Sequence, residues 1–306
     1  MLRASDLLVP DFASCPRTGD LSTCGVPSAI EASDSIARLG GRIVPFHVMV
    51  PDGTHSHCTN DIARHTCRRP LPSRSLVRIK RDVLCAGPEL CFLQMAPPRR
   101  YATWQDEAEL ALIGLELCGT YRLDPDSEKG FRNVEEPLTS TDRLRRFLDS
   151  CGSHPGGPIA RRAIESVADG SNSPMESVMA LRLLGKRRIG GLGIDGGVLN
   201  YRIRTQRCDR YVDLAFPRAG VGLEYQGKAW HLDAEADDRR RNNIIGSGMT
   251  LITVRFKDMA DLQLFDDLVH DLSRAMGIRI RPRGKDFRLR QRQLGASTLP
   301  GPRYSA

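Results

Sequence analysis

The sequence lacks the features of a secreted or membrane protein. Its nine cysteines are an odd number and form no CxxC pair, which argues against a disulfide framework and favours a reducing compartment. The first residues hold no basic segment followed by an apolar run, so we expect no signal peptide. No stretch approaches the ~18 apolar residues that a membrane-spanning helix needs. These absences predict a cytoplasmic protein without a membrane partner.

Positive charge exceeds negative charge in the chain. Its 306 residues include 45 Lys and Arg against 37 Asp and Glu, which gives a net charge of +8 and a pI of about 9.2. A basic surface favours polyanions, of which nucleic acid is the commonest. The same charge could serve solubility alone, and that alternative stays open at this point.

The length of the chain and its internal Gly- and Pro-rich segment predict two domains. Residues 1–150 form an N-terminal α+β region of unknown role. A linker follows at 151–170, with a stretch rich in Gly and Pro at 151–158 and a connecting helix at 159–168. Residues 171–278 form the second domain. Residues 279–306 form a basic, flexible tail, because the stretch from Arg279 to Arg292 holds six arginines and one lysine. Such a tail is either an arm that binds nucleic acid or a solubilising segment.

Hydrophobic periodicity gives the first elements. Ile43–Val50 and Leu76–Leu84 are predicted to be strands, separated by a polar loop over 54–75. The apolar residues of Glu107–Leu117 recur at helical spacing, which predicts a helix. The N-terminal region is therefore mixed in secondary structure.

The second domain has the clearest pattern. Ser173 as N-cap, Pro174 at the first helical position and Glu176 three residues after the cap are typical of a helix start. The elements that follow are predicted to be strands at 199–203, 211–216, 221–226 and 251–256, with helices at 237–245 and 262–276. The sequence therefore predicts an α/β domain with the order αβββαβα and a mixed sheet.

Two acidic residues lie on the second and third strands of this domain. Pro217–Gly220 connects the strands and has the composition of a turn. A turn centred between its two middle residues would place Asp213 opposite Glu224, with the two side chains about 5 Å apart. This register is self-consistent, because it puts apolar side chains together on the opposite face, namely Val212, Leu214, Leu223 and Tyr225.

Two carboxylates in that position repel each other and need compensation. A divalent cation, a neighbouring Lys or Arg, or a shared proton would each provide it. Gln226 shares the face of Glu224 by two-residue periodicity, so its amide could ligate a metal or orient a water. The alternative is that Asp213 and Glu224 belong to an ordinary solvated face.

At these residues the sequence resembles a known family. The segments Ser-Pro-Met-Glu-Ser (173–177), Tyr-Val-Asp-Leu-Ala-Phe-Pro (211–217) and Leu-Glu-Tyr-Gln-Gly-Lys-Ala-Trp-His (223–231), with Asp238 to Arg241, resemble the PD-(D/E)xK nucleases. The group they resemble most is the very-short-patch-repair-like endonuclease domains. The segments 88–95 and 116–121 are similar to the N-terminal region of abortive-infection type IV antitoxin proteins. The resemblance implies a restriction-endonuclease-like core.

The resemblance also implies roles. Asp213 and Glu224 match the two metal-binding acids, and the metal would be Mg²⁺ or Mn²⁺. Gln226 stands where the superfamily usually has Lys and where this group commonly has Asp, a departure that puts activity in doubt. Lys228, two residues further along, could substitute for the missing Lys.

Other matched residues have a structural alternative beside the functional one. Glu176 matches an acid on the first helix, yet capping alone would explain it. His231 matches a His that could act as general acid or base, although a hydrogen-bonded His at a strand end explains it equally. Asp238 and Arg241 could simply pair across one helical turn. The cluster Arg239, Arg240 and Arg241 could bind phosphates.

The sequence therefore predicts a metal-dependent DNA endonuclease that hydrolyses phosphodiester bonds, in genome defence or mobile-element biology. The alternative is a non-catalytic, antitoxin-like regulator that binds DNA through a degenerate nuclease domain. A third possibility is a protein that binds another protein and whose basic charge is incidental. The expected partners are DNA and either a toxin or a second copy of the chain.

Overall fold

The computed structural model describes residues 15–20, 46–50, 62–67, 69–80, 83–124, 126–204, 209–227, 244–246, 248–280 and 284–299. Its strands are β1 (Arg17–Thr18), β2 (Phe46–Val50), β3 (Ile62–Thr66), β4 (Leu76–Lys80), β5 (Val83–Ala86), β6 (Tyr121–Leu123), β7 (Phe131–Asn133), β8 (Val198–Arg204), β9 (Asp209–Phe216), β10 (Val221–Gln226) and β11 (Thr250–Arg255).

The helices are α1 (Pro88–Met95), α2 (Trp104–Leu117), α3 (Thr141–Ser150), α4 (Gly157–Ala163), α5 (Pro174–Leu183), α6 (Phe256–Ala260), α7 (Leu262–Ala275) and α8 (Lys285–Thr298). Single turns of 3-10 helix occur at Ile164–Ser166, Arg187–Ile189 and Pro217–Ala219. The fold is mixed α/β, as the sequence predicts. Among the described residues, no helix combines the length and apolar character needed to cross a bilayer.

The chain divides into two compact units, one of residues 1–96 and 142–158 and the other of 97–141 and 159–306. This division differs from the predicted order of an N-terminal region, a linker and a second domain. Residues 97–141 group with the C-terminal half, because α2 packs on α5 within the second unit. The linker predicted at 151–170 contains α4, which overlaps the connecting helix expected at 159–168.

The first unit contains an antiparallel sheet in the order β1-β4-β5 and a parallel pair, β2 and β3. The strand predicted at Leu76–Leu84 is two antiparallel strands, β4 and β5. The stretch 54–75 was expected to be a loop throughout, yet it contains β3. Its sequence, Ile-Ala-Arg-His-Thr, shows no apolar alternation, so the pairing with β2 is not visible in the local pattern.

The second unit contains a four-stranded mixed sheet in the order β11-β10-β9-β8. Strands β8, β9 and β10 are antiparallel neighbours, and β11 runs parallel to β10. With α5 before the sheet and α7 after it, these elements follow the predicted order. Of the helix predicted at 237–245, only residues 244 and 245 lie within the described part of the chain.

A buried arginine links the helices of the second unit. Arg182 of α5 is 2% exposed, and its guanidinium lies over the ring of Phe265 of α7, 3.6 Å from the ring centroid. It also donates a hydrogen bond to the carbonyl oxygen of Met259 in α6. A buried guanidinium requires such partners, because its desolvation is otherwise costly. The burial lowers the pKa of Arg182 to about 10.

The segment predicted to be a flexible tail contains α8. Leu294 of α8 is fully buried, and the next residue, Gly295, packs beside Arg182, whose Cζ lies at an ordinary contact distance of 3.5 Å from the position that a Cβ of residue 295 would take. Arg290 donates a hydrogen bond to the carbonyl oxygen of Arg188. The arginine-rich composition suggested a solvated arm, but the few apolar and small residues of the segment give the helix a packing face.

Candidate functional site

The hairpin of β9 and β10 has the predicted register. A 3-10 turn at Pro217–Ala219 joins the strands, and Gly220 follows with a φ of 65°, a conformation that glycine adopts without strain. The ladder pairs Val221 with Phe216 and Leu223 with Leu214. Extended by one residue, this register sets Asp213 opposite Glu224.

Asp213 lies just beyond the last ladder pair and makes a hydrogen bond to the opposite strand. Its Oδ2 accepts from the backbone N–H of Tyr225, at 2.7 Å from the nitrogen. The carboxylate is therefore directed toward β10, beside Glu224. A carboxylate that accepts a backbone hydrogen bond is fixed in place by it.

Leu214 lies opposite Leu223 as predicted, but the expectation that Val212 shares their apolar face is wrong. Val212 packs with Ile203, Ala215, Ile244 and Met249, whereas Leu214 lies beside Leu184 at the end of α5, where both approach Gly197. Val212 and Leu214 therefore contact different groups of residues. The simple alternation of faces assumed in the prediction is interrupted at Asp213.

The same interruption occurs on the neighbouring strand β8. Leu199 pairs with Leu214 and Tyr201 pairs with Val212, so Asn200 faces Asp213 across the ladder. Asn200 has a φ of 44°, in the left-handed region that residues other than glycine rarely occupy. Two irregular positions therefore face each other in the middle of the sheet.

Glu176 reaches this position from the first turn of α5. The N-cap Ser173 accepts from the backbone N–H of Glu176 at 3.2 Å, as predicted. The Glu176 carboxylate accepts hydrogen bonds from the Ser173 hydroxyl (2.9 Å), the Asn172 backbone N–H (2.8 Å) and the Asn200 amide (3.1 Å). Glu176 therefore caps the helix and also contacts the sheet.

Burial and the neighbouring Asp213 disfavour the charged form of Glu176. The residue is 6% exposed, and these two causes, in that order, raise its pKa to about 8 despite the three hydrogen bonds. A carboxyl with so high a pKa is a group whose ionised state lacks sufficient compensation. An additional positive charge at this position would therefore be stabilising.

Buried hydroxyl groups hold the loop that precedes α5. Ser177 of α5 lies 2.9 Å from the Tyr121 hydroxyl and 2.7 Å from that of Ser171. Burial raises the pKa of Tyr121, which keeps the phenol neutral as a hydrogen-bonding group. This network positions the N-terminus of α5, and with it Glu176, against the sheet.

The remaining predicted residues on β10 are half-buried. Glu224 and Gln226 both lie on this strand, beside Tyr225. In the part of the chain that the structure describes, however, no three His, Cys, Asp or Glu side chains are grouped closely enough to hold a metal ion. Glu176, Asp213 and Glu224 have the oxygen donors that Mg²⁺ prefers, but as placed they do not form a complete set of ligands.

The exposed ends of β8 and β9 are basic. Arg202 and Arg204 follow Asn200 on β8, and Tyr211 precedes Asp213 on β9 with 49% of its surface exposed. Arg202 forms an ion pair with Asp209. Positive charge therefore lies on the same two strands as the acidic residues.

Several predicted site residues lie outside the described part of the chain. They are Lys228, His231, Asp238, Arg239, Arg240 and Arg241. Their roles remain predictions. Asn200, by contrast, was missed by sequence reasoning, because its conformation depends on the packing of β8 against β9 and α5.

Comparison with known proteins gives no relative. No family model, no curated protein and no solved structure matches the chain.

Proposed function

We propose that the second unit is a metal-dependent DNA endonuclease domain with a restriction-endonuclease-like core. The observation that carries the proposal is that Asp213 lies close enough to Glu176 to disfavour its ionised form and, with the hairpin register extended by one residue, lies opposite Glu224. Glu176 comes from the start of a helix, Asp213 from the middle of one strand and Glu224 from the facing position of the next. Half-buried carboxylates close to one another repel, and this repulsion needs a compensating positive charge. A divalent cation would provide that charge.

The donor set fits Mg²⁺ or Mn²⁺ in its chemistry. Asp213 and Glu224 would hold the cation, and the carboxylate of Glu176 would add negative charge beside it. Bound there, the cation would lower the pKa of a coordinated water and polarise a phosphate oxygen. Gln226 would orient a water through its amide but could not supply the positive charge of a lysine.

The basic strand ends support DNA as the substrate. Arg204 and Arg202 are exposed beyond Asn200, where they could contact phosphates that flank the scissile bond. The net charge of +8 agrees with a polyanionic partner. A toxin partner or a homodimer has no comparable support and stays a prediction.

A second function is favoured by Gln226. Because a neutral amide stands in the position usually held by a lysine, the domain could bind DNA without cutting it, as an antitoxin-like regulator. Specific duplex binding without cleavage would support this alternative.

The test is nicking of supercoiled plasmid by the purified full-length chain with Mg²⁺ or Mn²⁺. We expect metal-dependent conversion to open circles by the wild type, and none by Glu224→Ala. Glu128→Gln, which changes an exposed acid of the same unit, is the matched control and should cut like the wild type. No cleavage by the wild type of single-stranded, duplex or supercoiled DNA would contradict the proposal.

A further inference from the structure

Asn200 is the residue through which α5 contacts the irregular centre of the sheet. Its carboxamide donates one hydrogen bond to Oε2 of Glu176 and another to the carbonyl oxygen of Gly170. The two amide hydrogens of an asparagine are both used in this way. One short side chain therefore joins the loop before α5, the first turn of α5 and strand β8.

The backbone of Asn200 has an unfavourable conformation, which its side-chain hydrogen bonds stabilise. A φ of 44° is unfavourable for a residue other than glycine, and Asn tolerates it better than most residues. In this conformation β8 departs from regular alternation at the residue that faces Asp213. The departure allows the amide to reach Glu176 while β8 and β9 stay paired on either side.

We propose that Asn200 is a positioning residue, which holds the Glu176 carboxylate beside Asp213 so that the two acids act together on a divalent cation. The proposal rests on the proposed metal-dependent function. A regular strand residue would leave Glu176 held only by the cap of its own helix, through Ser173 and Asn172. The Asn200 amide adds a hydrogen bond that joins the carboxylate of Glu176 to the sheet that carries Asp213.

The test measures Mn²⁺ affinity, with the signal of the free aqua ion in electron paramagnetic resonance as the readout. Asn200→Gly removes the amide and also the backbone strain, so the fold should be retained. Asn200→Ala removes the amide and keeps the strain. If the amide positions Glu176, both variants should bind Mn²⁺ about 10- to 100-fold more weakly, the range typical of groups that orient metal ligands, although their melting temperatures differ.

A double-mutant cycle shows whether Asn200 acts through Glu176. Glu176→Gln alone should weaken Mn²⁺ binding, and adding Asn200→Gly to it should have little further effect, because the amide then has no carboxylate to position. Arg74→Gly is the control. Arg74 is the other described residue, apart from glycines, that has a positive φ, so this variant should bind Mn²⁺ like the wild type.

The outcomes separate this inference from the proposed function. Two results would overturn the positioning role and leave the metal site intact. One is wild-type Mn²⁺ affinity in both Asn200 variants. The other is a double variant whose loss of Mn²⁺ affinity equals the product of the losses in the two single variants. A wild-type chain that binds no Mn²⁺ at millimolar concentration would overturn both. Weakened binding in the Asn200 variants with no further loss in the double variant would support both.

Discussion

Asp213 of β9 accepts a hydrogen bond from the backbone N–H of Tyr225 on β10, with 2.7 Å between the Tyr225 nitrogen and Asp213 Oδ2. The contact lies just past the last ladder pair, Leu214 opposite Leu223. It connects the carboxylate of one proposed metal ligand to the backbone beside the other, Glu224. Asp213 therefore has a structural role in addition to its proposed chemical role.

Two substitutions of Asp213 should separate these roles. Asp213→Asn keeps an oxygen that can accept from Tyr225, so it should retain most of the stability while abolishing metal-dependent cleavage. Asp213→Ala leaves the half-buried N–H without this acceptor and should lower the free energy of unfolding by about 1–3 kcal/mol. Urea denaturation of both variants measures the difference, and equal stability of the two would contradict the structural role.

Glu176 should make the stability of the protein depend on pH. Its ordinary pKa is 4.5, and in the folded chain it is raised to about 8 by burial and by Asp213. Between these values the native state keeps a proton that the unfolded state has lost. The contribution is thus most favourable below pH 4.5, and the free energy of unfolding should fall by up to about 1.4 kcal/mol per pH unit as the pH rises toward 8.

Urea denaturation in EDTA at several pH values between 5 and 8 measures this dependence. Glu176→Gln cannot ionise and should flatten the profile, so the variant gains stability relative to the wild type as the pH rises. Glu128→Gln, at an exposed position, should leave the slope unchanged. A wild-type slope that matches the Glu176→Gln slope would show that Glu176 ionises normally.

Gln226 offers a gain-of-function experiment. Under the proposed nuclease function, a lysine at this position of β10 would stabilise negative charge on the phosphate. Gln226→Lys should therefore raise the rate of metal-dependent nicking, by roughly 10-fold or more if the lysine adopts that role. Gln226→Met, of similar length and without charge or amide, is the matched comparison and should not accelerate nicking.

An unchanged or lower rate in Gln226→Lys would indicate that the strand end does not direct this side chain toward the acids. If neither the wild type nor this variant cuts DNA, the regulator without catalytic activity becomes the better account of the domain.

The sequence was informative where a local pattern determines the structure. Strand β10 was predicted at its observed bounds, and the hairpin register followed from the turn at Pro217–Gly220. The capped start of α5 at Ser173 was likewise predicted, because the cap needs only neighbouring residues. These features depend on short-range contacts.

The sequence failed where distant contacts determine the structure. The left-handed backbone of Asn200 is supported by Glu176 and Gly170, neither of which is its neighbour in sequence. Helix α8 is organised by contacts such as Gly295 on Arg182, whereas its composition suggests a solvated tail. The raised pKa of Glu176 also follows from tertiary burial, which no local pattern reveals.

The basic end of β8 should contribute to DNA binding in a way that salt reveals. Arg204 is exposed beyond Asn200, so Arg204→Ala should weaken binding to unrelated duplex sequences to a similar extent and reduce the slope of log affinity against log salt concentration by about 1. Arg132→Ala removes an exposed arginine of β7 in the same unit and serves as the control. Fluorescence anisotropy with a labelled duplex at several salt concentrations, in EDTA to prevent cleavage, measures both slopes. Identical slopes for the wild type and Arg204→Ala would place the phosphate contacts elsewhere on the chain.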